Sequence, residues 1–225
     1  HGRLLQHKPV VYQEDGARRL PVEARYAVHD DRVAFELGAY DRSRALVIDP
    51  VITYGTYLGG NDAEAGHGIA VDAQGNFYVA GITASLDFPT KSAAYPSASG
   101  DRSDSFVAKY NAAGQLVYAT YLGGSSTDWL EGIAVDGNGL VYVAGWTDSP
   151  NFPTLKAIQT GPTSPGGRAV FVSRFGVGGA LQFSTYLGGG ADYGEAIAVD
   201  NAGNAYVTGL GTYNFPTTPG VINPT

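Results

Sequence analysis

Apolar residues in this chain come in short runs, separated by clusters of glycine, asparagine, aspartate and proline. No segment keeps a 3.6-residue apolar period for three turns, so the pattern predicts strands and tight turns rather than helices. The run LVYATYL (Leu116–Leu122) shows the faces such a strand offers. Alternation sends Leu116, Tyr118, Thr120 and Leu122 one way and Val117, Ala119 and Tyr121 the other. Both sides carry apolar bulk, so the sheet is expected to lie buried between two neighbours rather than wetted on one face.

The runs also repeat. TYLGG stands at Thr56–Gly60, Thr120–Gly124 and Thr185–Gly189. After a polar loop each copy is followed by GIAVD (Gly68–Asp72), GIAVD (Gly132–Asp136) or AIAVD (Ala196–Asp200), and then by NFYVAG, LVYVAG or NAYVTG. FPT comes next, at Phe88–Thr90, Phe152–Thr154 and Phe215–Thr217, and two units go on to DSFVAKY (Asp104–Tyr110) and AVFVSRF (Ala169–Phe175). Each full unit therefore holds four strand candidates. An aspartate opens the turn of the first pair and a glycine supplies the positive-φ position near its end. A repeated four-stranded sheet covered on both faces describes a β-propeller blade, and the predicted fold is all-β with blades of four antiparallel strands. The small, branched GIAVD suits the crowded inner strand, and the proline of FPT makes a rigid corner whose phenylalanine is expected to plug the gap between blades. The double glycines read as the sharp turn after the outer strand.

The phase of the repeat divides the chain. Residues 51–225 read as a leading outer strand (Val51–Gly60), two complete blades and one half blade. Propellers usually close with four or more blades, so the chain is expected to be an excerpt of a larger ring or a partner for other chains through exposed strand edges. Residues 1–50 do not repeat. They offer strands over Lys8–Gln13, Pro21–Val28, Arg32–Gly38 and Ala45–Pro50, with turns at Glu14–Ala17 and His29–Asp31. Two readings stand for this short N-terminal β segment: the C-terminal part of a small β domain, or a degenerate blade.

Composition narrows the function. Only 16% of residues are charged, the net charge is −7, and no basic tract offsets it, so nucleic acid is an unsuitable partner. No apolar run is long enough for a membrane-spanning helix. Cysteine is absent, which excludes disulfides and thiol chemistry; methionine is absent too and residue 1 is histidine, which fits a processed or excised piece of something longer.

Taken together, in this order and spacing, TYLGG, GIAVD, NFYVAG, DFPT and DSFVAKY resemble the bacterial SBBP β-propeller repeat over residues 51–225. GIAVDAQGNFYVAG is more loosely similar to NHL-type propellers. KPVVYQE and AFELGAYDRSRALVIDPV resemble the end of the β-rich domain that precedes such repeats. The resemblance implies a non-enzymatic structural or interaction module of an extracellular or cell-surface bacterial protein, serving adhesion or assembly, with no required cofactor and no catalytic residues. The third unit departs from the pattern: Ala196 replaces the first glycine of GIAVD, and GLGTYNFPT is shorter than GITASLDFPT.

Candidate chemistry lies in the loops between TYLGG and the inner strand, because scaffold loops are where binding residues gather. Counting back from Ile69, Ile133 and Ile197 puts Glu64, Asp128 and Asp192 in one register. The same count aligns His67 with Glu131 and Glu195, and Ala65 with Trp129 and Tyr193. These acids, with backbone carbonyls, are a candidate calcium site. Trp129 and Tyr193 are candidate stacking faces for a protein, peptide or surface glycan. The plain alternative is that the acids cap turns and the aromatics pack over neighbouring blades. No HExxH, GxSxG or zinc spacing is present, so glycan cleavage by Asp128 and Glu131 is the only enzymatic alternative.

Overall fold

The computed structural model describes residues 9–29, 32–49, 55–100, 103–212 and 215–217. The chain divides into two compact units, His1–Tyr57 and Leu58–Thr225. Among the described residues every regular element in both is a strand.

In the first unit, β1 (Val10–Asp15) pairs antiparallel with both β2 (Arg18–Val22) and β5 (Leu46–Asp49). A separate hairpin joins β3 (Ala24–His29) to β4 (Arg32–Leu37). The segment expected as one strand over Pro21–Val28 is thus two, because the chain leaves one sheet and enters the other at Glu23. Val11, Val22 and Ala24 are buried together, with Leu37 and Leu46 packed against them. Buried Gln13 fastens the β4–β5 loop, donating to Asp41 O (2.7 Å) and accepting the Asp41 N–H (2.8 Å). The turn expected at His29–Asp31 lies largely outside the described residues.

The second unit holds the repeats. β6 (Glu64–Val71), β7 (Phe77–Thr83), β8 (Asp104–Tyr110) and β9 (Leu116–Leu122) form one four-stranded antiparallel sheet. β10 (Asp128–Val135), β11 (Val141–Thr147), β12 (Ala169–Phe175) and β13 (Leu181–Leu187) form the next. β14 (Tyr193–Val199) and β15 (Ala205–Leu210) form a two-stranded half blade. The fold is a partial propeller, as the periodicity predicts. The leading outer strand falls partly outside the described residues, and Gly55–Gly60 carry no strand.

The turn chemistry follows the sequence pattern. Asp72 Oδ1 accepts the N–H groups of Gln74 and Asn76 (3.0 and 2.9 Å), and Gly75 closes the turn at φ 78°. Asp136 and Asp200 do the same for the next two hairpins. Inner strands β6, β10 and β14 stack in succession. The stacking is tight enough that a Cβ on Gly132 would sit 2.9 Å from Ile197 N. Ala196, where the third unit departs from GIAVD, is exposed.

One face of the first blade (Tyr78, Ala80, Val107, Tyr118, Leu122) shares a core with one face of the second (Val141, Val143, Phe171, Phe175). Alternation misplaces two residues of LVYATYL. A bulge makes Val117 the extra residue between the Lys109–Tyr118 and Tyr110–Leu116 pairs. It turns Val117 toward the Tyr118 cluster and Leu116 toward Ala119 and Tyr121.

The long connectors, 84–103 and 148–168, do more than turn a corner. Lys91 exchanges two backbone hydrogen bonds with Ala119, and Leu155 does so with Ser184. Each connector therefore lies along the outer strand of its own blade and occupies an edge that would otherwise be free to pair.

Candidate functional site

The loops entering the inner strands are built around a carboxylate, a tyrosine and a pair of glycines. In the second copy of TYLGG, the Tyr121 hydroxyl donates to Ser85 O (2.7 Å) and accepts the Phe88 N–H (2.8 Å). In the third, Tyr186 donates to Ser149 O (2.7 Å) and accepts the Phe152 N–H (2.6 Å). Burial raises the Tyr186 phenol to about 12, so it stays a neutral donor and acceptor. Phe88 packs on Phe106 and Tyr121, and Phe152 packs on Phe171 and Tyr186. Phe152 lies in the core shared by both blades, as expected of a plug, whereas Phe88 is buried with Leu58 and residues of its own blade. The first copy of the motif has none of this: Tyr57 is fully exposed.

The acidic register is real, but the structure turns it inward. Asp128 is fully buried. Its Oδ2 accepts the Gly124 N–H (2.7 Å) and the Ser149 hydroxyl (2.9 Å), and its Oδ1 accepts the Thr147 hydroxyl. Asp192, also fully buried, accepts the N–H groups of Gly189 (2.7 Å), Gly190 (3.1 Å) and Thr212 (2.6 Å) and the Thr212 hydroxyl (2.8 Å). Glu64 is half-buried and accepts the Thr83 hydroxyl at 2.8 Å. These carboxylates hold the loop that leads from one blade into the next. They also give a physical reason for the double glycines other than turn geometry, since only Gly188 and Gly189 have positive φ. In all three copies a Cβ on the first glycine would overlap a carboxylate oxygen, from Glu64, Asp104 or Asp192.

Electrostatics separate two of these acids. Burial, against the bonds from Thr147, Gly124 and Ser149, pushes Asp128 up to about 7, with Asp104 adding repulsion. Burial also raises Asp104, to about 6. Asp192 goes the other way: burial opposes its charge, but its backbone and hydroxyl donors outweigh that and hold it below the ordinary carboxylate range.

A β-bulge places the second register. Pairing shifts between Gly66 and Gly68, between Leu130 and Gly132, and between Gly194 and Ala196, so His67, Glu131 and Glu195 are the unpaired extra residues. His67 Nδ1 reaches the next blade, 2.9 Å from Leu130 O and 3.2 Å from Glu131 Oε2. Glu195 is exposed. Asp128 and Glu131 do not open onto a common groove, because the Asp128 oxygens are filled from inside the loop.

The aromatic register forms a strip across successive blades. His67 lies against Trp129 at 5.2 Å between ring centroids, and Trp129 stacks on Trp146 at 5.6 Å. Trp146 meets Tyr193 edge-on at 5.8 Å. The Arg168 guanidinium covers Trp146 at 3.8 Å and is clamped by both oxygens of Asp148 (2.8 and 2.7 Å). The strip is half-buried, and its ring faces are largely spent on one another.

Sequence spacing misses Trp146, Arg168, Asp148 and Asp104. Each occurs in one unit only, so repetition cannot flag it; the tyrosine of TYLGG was repeated and open to notice. Among the described residues no group of three His, Cys, Asp or Glu comes together as a metal site, and no helix is long and apolar enough to cross a membrane. An open groove of about 270 Å³ lies elsewhere, on the N-terminal unit along Glu23–Arg25 and Glu36–Gly38.

Comparison with known proteins gives the family. The β-propeller repeat SBBP matches residues 53–89, 117–153 and 182–216. The second and third matches start in outer strands β9 and β13 and end at the FP corner of the next sheet, so the sequence repeat spans a blade junction rather than a blade. Residues 1–51 match a domain of unknown function, DUF7948. A search among curated proteins gives no match. The chain therefore carries a DUF7948 domain followed by SBBP β-propeller repeats.

Proposed function

We propose that this chain is a rigid structural or interaction module of a secreted or cell-surface bacterial protein, serving adhesion or assembly and not catalysis. One observation carries the reading: the polar groups that repeat around the loops are consumed in joining blades. Asp128 and Asp192 have their oxygens filled by loop donors, and Trp129 and Trp146 stack on each other. Repetition here serves architecture, and the match to the β-propeller repeat supports the same role.

A second reading has a specific observation behind it. The half-exposed strip of Trp129, Trp146 and Tyr193, bordered by Glu131, Glu195 and His67, offers edges to a surface glycan or peptide. Glu64 joins Asp128 and Asp192 in holding loops, and calcium would have to displace their present donors to bind there.

The experiment is a titration of the purified chain against a panel of bacterial surface polysaccharides and oligosaccharides, with product analysis. Neither saturable binding nor shortened sugars are expected. Binding lost in Trp129→Ala would establish the glycan reading instead. Shortened sugars lost in Glu131→Gln would establish an enzyme. Protease treatment of intact cells is expected to release these repeats, and their protection inside intact cells would contradict the surface assignment.

A further inference from the structure

The first two blades meet over a pair of carboxyl groups that the second junction lacks. Asp104 opens β8 on the first blade and Asp128 opens β10 on the second, and both are buried. A side chain on Gly123 would overlap Asp104 Oδ1 and come within 2.9 Å of Asp128 Oδ2, so both acids crowd one backbone position. Asp104 Oδ2 accepts the Ser99 N–H at 2.8 Å. Its Oδ1 is buried with no partner among the described residues.

No described cation answers this charge. Lys109 on β8 lies over Tyr78, Arg174 on β12 lies over Tyr142, and Arg168 is held by Asp148. On β10, Glu131 faces His67, and on β6, Glu64 takes the Thr83 hydroxyl. Asp87 in the connector accepts from Asn61. The nearby hydroxyls of Tyr121 and Tyr186 are already spent on the FP corners. An ionised carboxylate oxygen left buried without a donor is strongly disfavoured, and taking up a proton is the least demanding remedy. At the second junction the position of Asp104 is held by Ala169, and Asp192 has four donors to itself.

We propose that Asp104 and Asp128 hold one proton between them in the neutral fold, so that losing it loosens the junction of the first two blades and leaves the second junction intact. The proton belongs on Asp104 Oδ1, the one oxygen of the pair with no donor. The site is a two-carboxyl proton trap made by two blades, and it does not depend on what the module binds.

Carboxyl ¹³C shifts of the full chain, followed from acid to alkaline pH, test this directly. The pair is expected to titrate in two macroscopic steps, both above the ordinary carboxylate range, while Asp192 titrates below it. Asp104→Asn stands in for the protonated partner, so the upper step is expected to vanish while Asp128 keeps the lower one. Ordinary titration of both acids in the wild-type chain would overturn the proposal, as would an upper step that survives in the variant. So would millimolar calcium driving both steps acidic, because a cation would then hold the pair. Should the variant not fold, the wild-type steps and the Asp192 comparison decide alone.

Discussion

At the first blade junction Asp128 is buried beside a second acid, and its carboxyl is held above the usual range. At the second junction Asp192 occupies the same register, with four donors and no facing acid among the described residues, and is held below it. The loop job is the same and the electrostatic outcome is opposite. What differs is one neighbour, Asp104 against Ala169, together with the supply of backbone donors. A repeat therefore fixes which positions carry the latch, while single-unit residues decide how each latch responds to pH.

The same contrast runs between complete and incomplete units. Tyr121 and Tyr186 are buried and each spans two backbone groups of the FP corner, whereas Tyr57 stands in water. Tyr78 is fully buried over its Asp72 turn, and its counterpart Tyr206 makes the same bond to Asp200 while 59% exposed. Identical local chemistry gains its burial only when a second sheet lies on top.

The largest expected effect comes from the corner phenylalanines. Phe152→Ala and Phe88→Ala should each cost about 3–5 kcal/mol, read from the shift in urea midpoint. Phe215→Ala, on the half blade, should cost clearly less. Unchanged midpoints for Phe88 and Phe152 would break the comparison.

Next come the tyrosines. Tyr186→Phe strands a buried N–H and carbonyl, for a loss of about 1–3 kcal/mol. Tyr57→Phe should stay within about 0.5 kcal/mol. Equal losses would mean the hydroxyl bridge contributes nothing.

A third pair probes inner-strand stacking. Gly132→Ala presses on the backbone at Ala196 and Ile197 and should cost about 1–3 kcal/mol by calorimetric unfolding. Ala196→Gly, at an exposed position, should cost no more than about 1 kcal/mol.

The smallest effect sharpens the electrostatic contrast. Asp192 has a depressed folded pKa, so its stabilisation is present above the unfolded value of about 3.8 and is lost as pH falls through the folded one. Amide exchange at Gly189 and Thr212, corrected for intrinsic rates, should quicken on acidification. The raised pair at the first junction has the opposite sign. Its contribution is complete below pH 3.8 and is lost as pH rises through about 6 and 7. Gly124 should therefore lose protection toward alkaline pH. Parallel behaviour at Gly124 and Gly189 would erase the difference between the junctions.

Most of the fold was legible because the repeat states it three times. Alternation within DSFVAKY and LVYATYL gave the strands, and the Asp-to-Gly spacing gave the hairpins. The bulge at Val117 was not legible, since an extra residue leaves the apolar pattern intact while exchanging Leu116 and Val117. The break at Glu23 was hidden because no glycine or turn cluster marks it between Val22 and Tyr26. For the site, spacing found the register of Glu64, Asp128 and Asp192 but not its direction, because a loop acid can face water or backbone N–H groups with the same sequence. The glycines beside it were the clue, since a carboxylate can lie against backbone only where no side chain intervenes.

Mutual burial of neighbouring sheets is most directly tested by native-state hydrogen exchange across the repeats. Amides of β11, covered on both faces, should exchange slowest of all, and those of its counterpart β15 should exchange far faster despite the similar sequence of the two strands. Equal protection in the complete and half blades would contradict the account, because it would show that each sheet holds itself together without its neighbours.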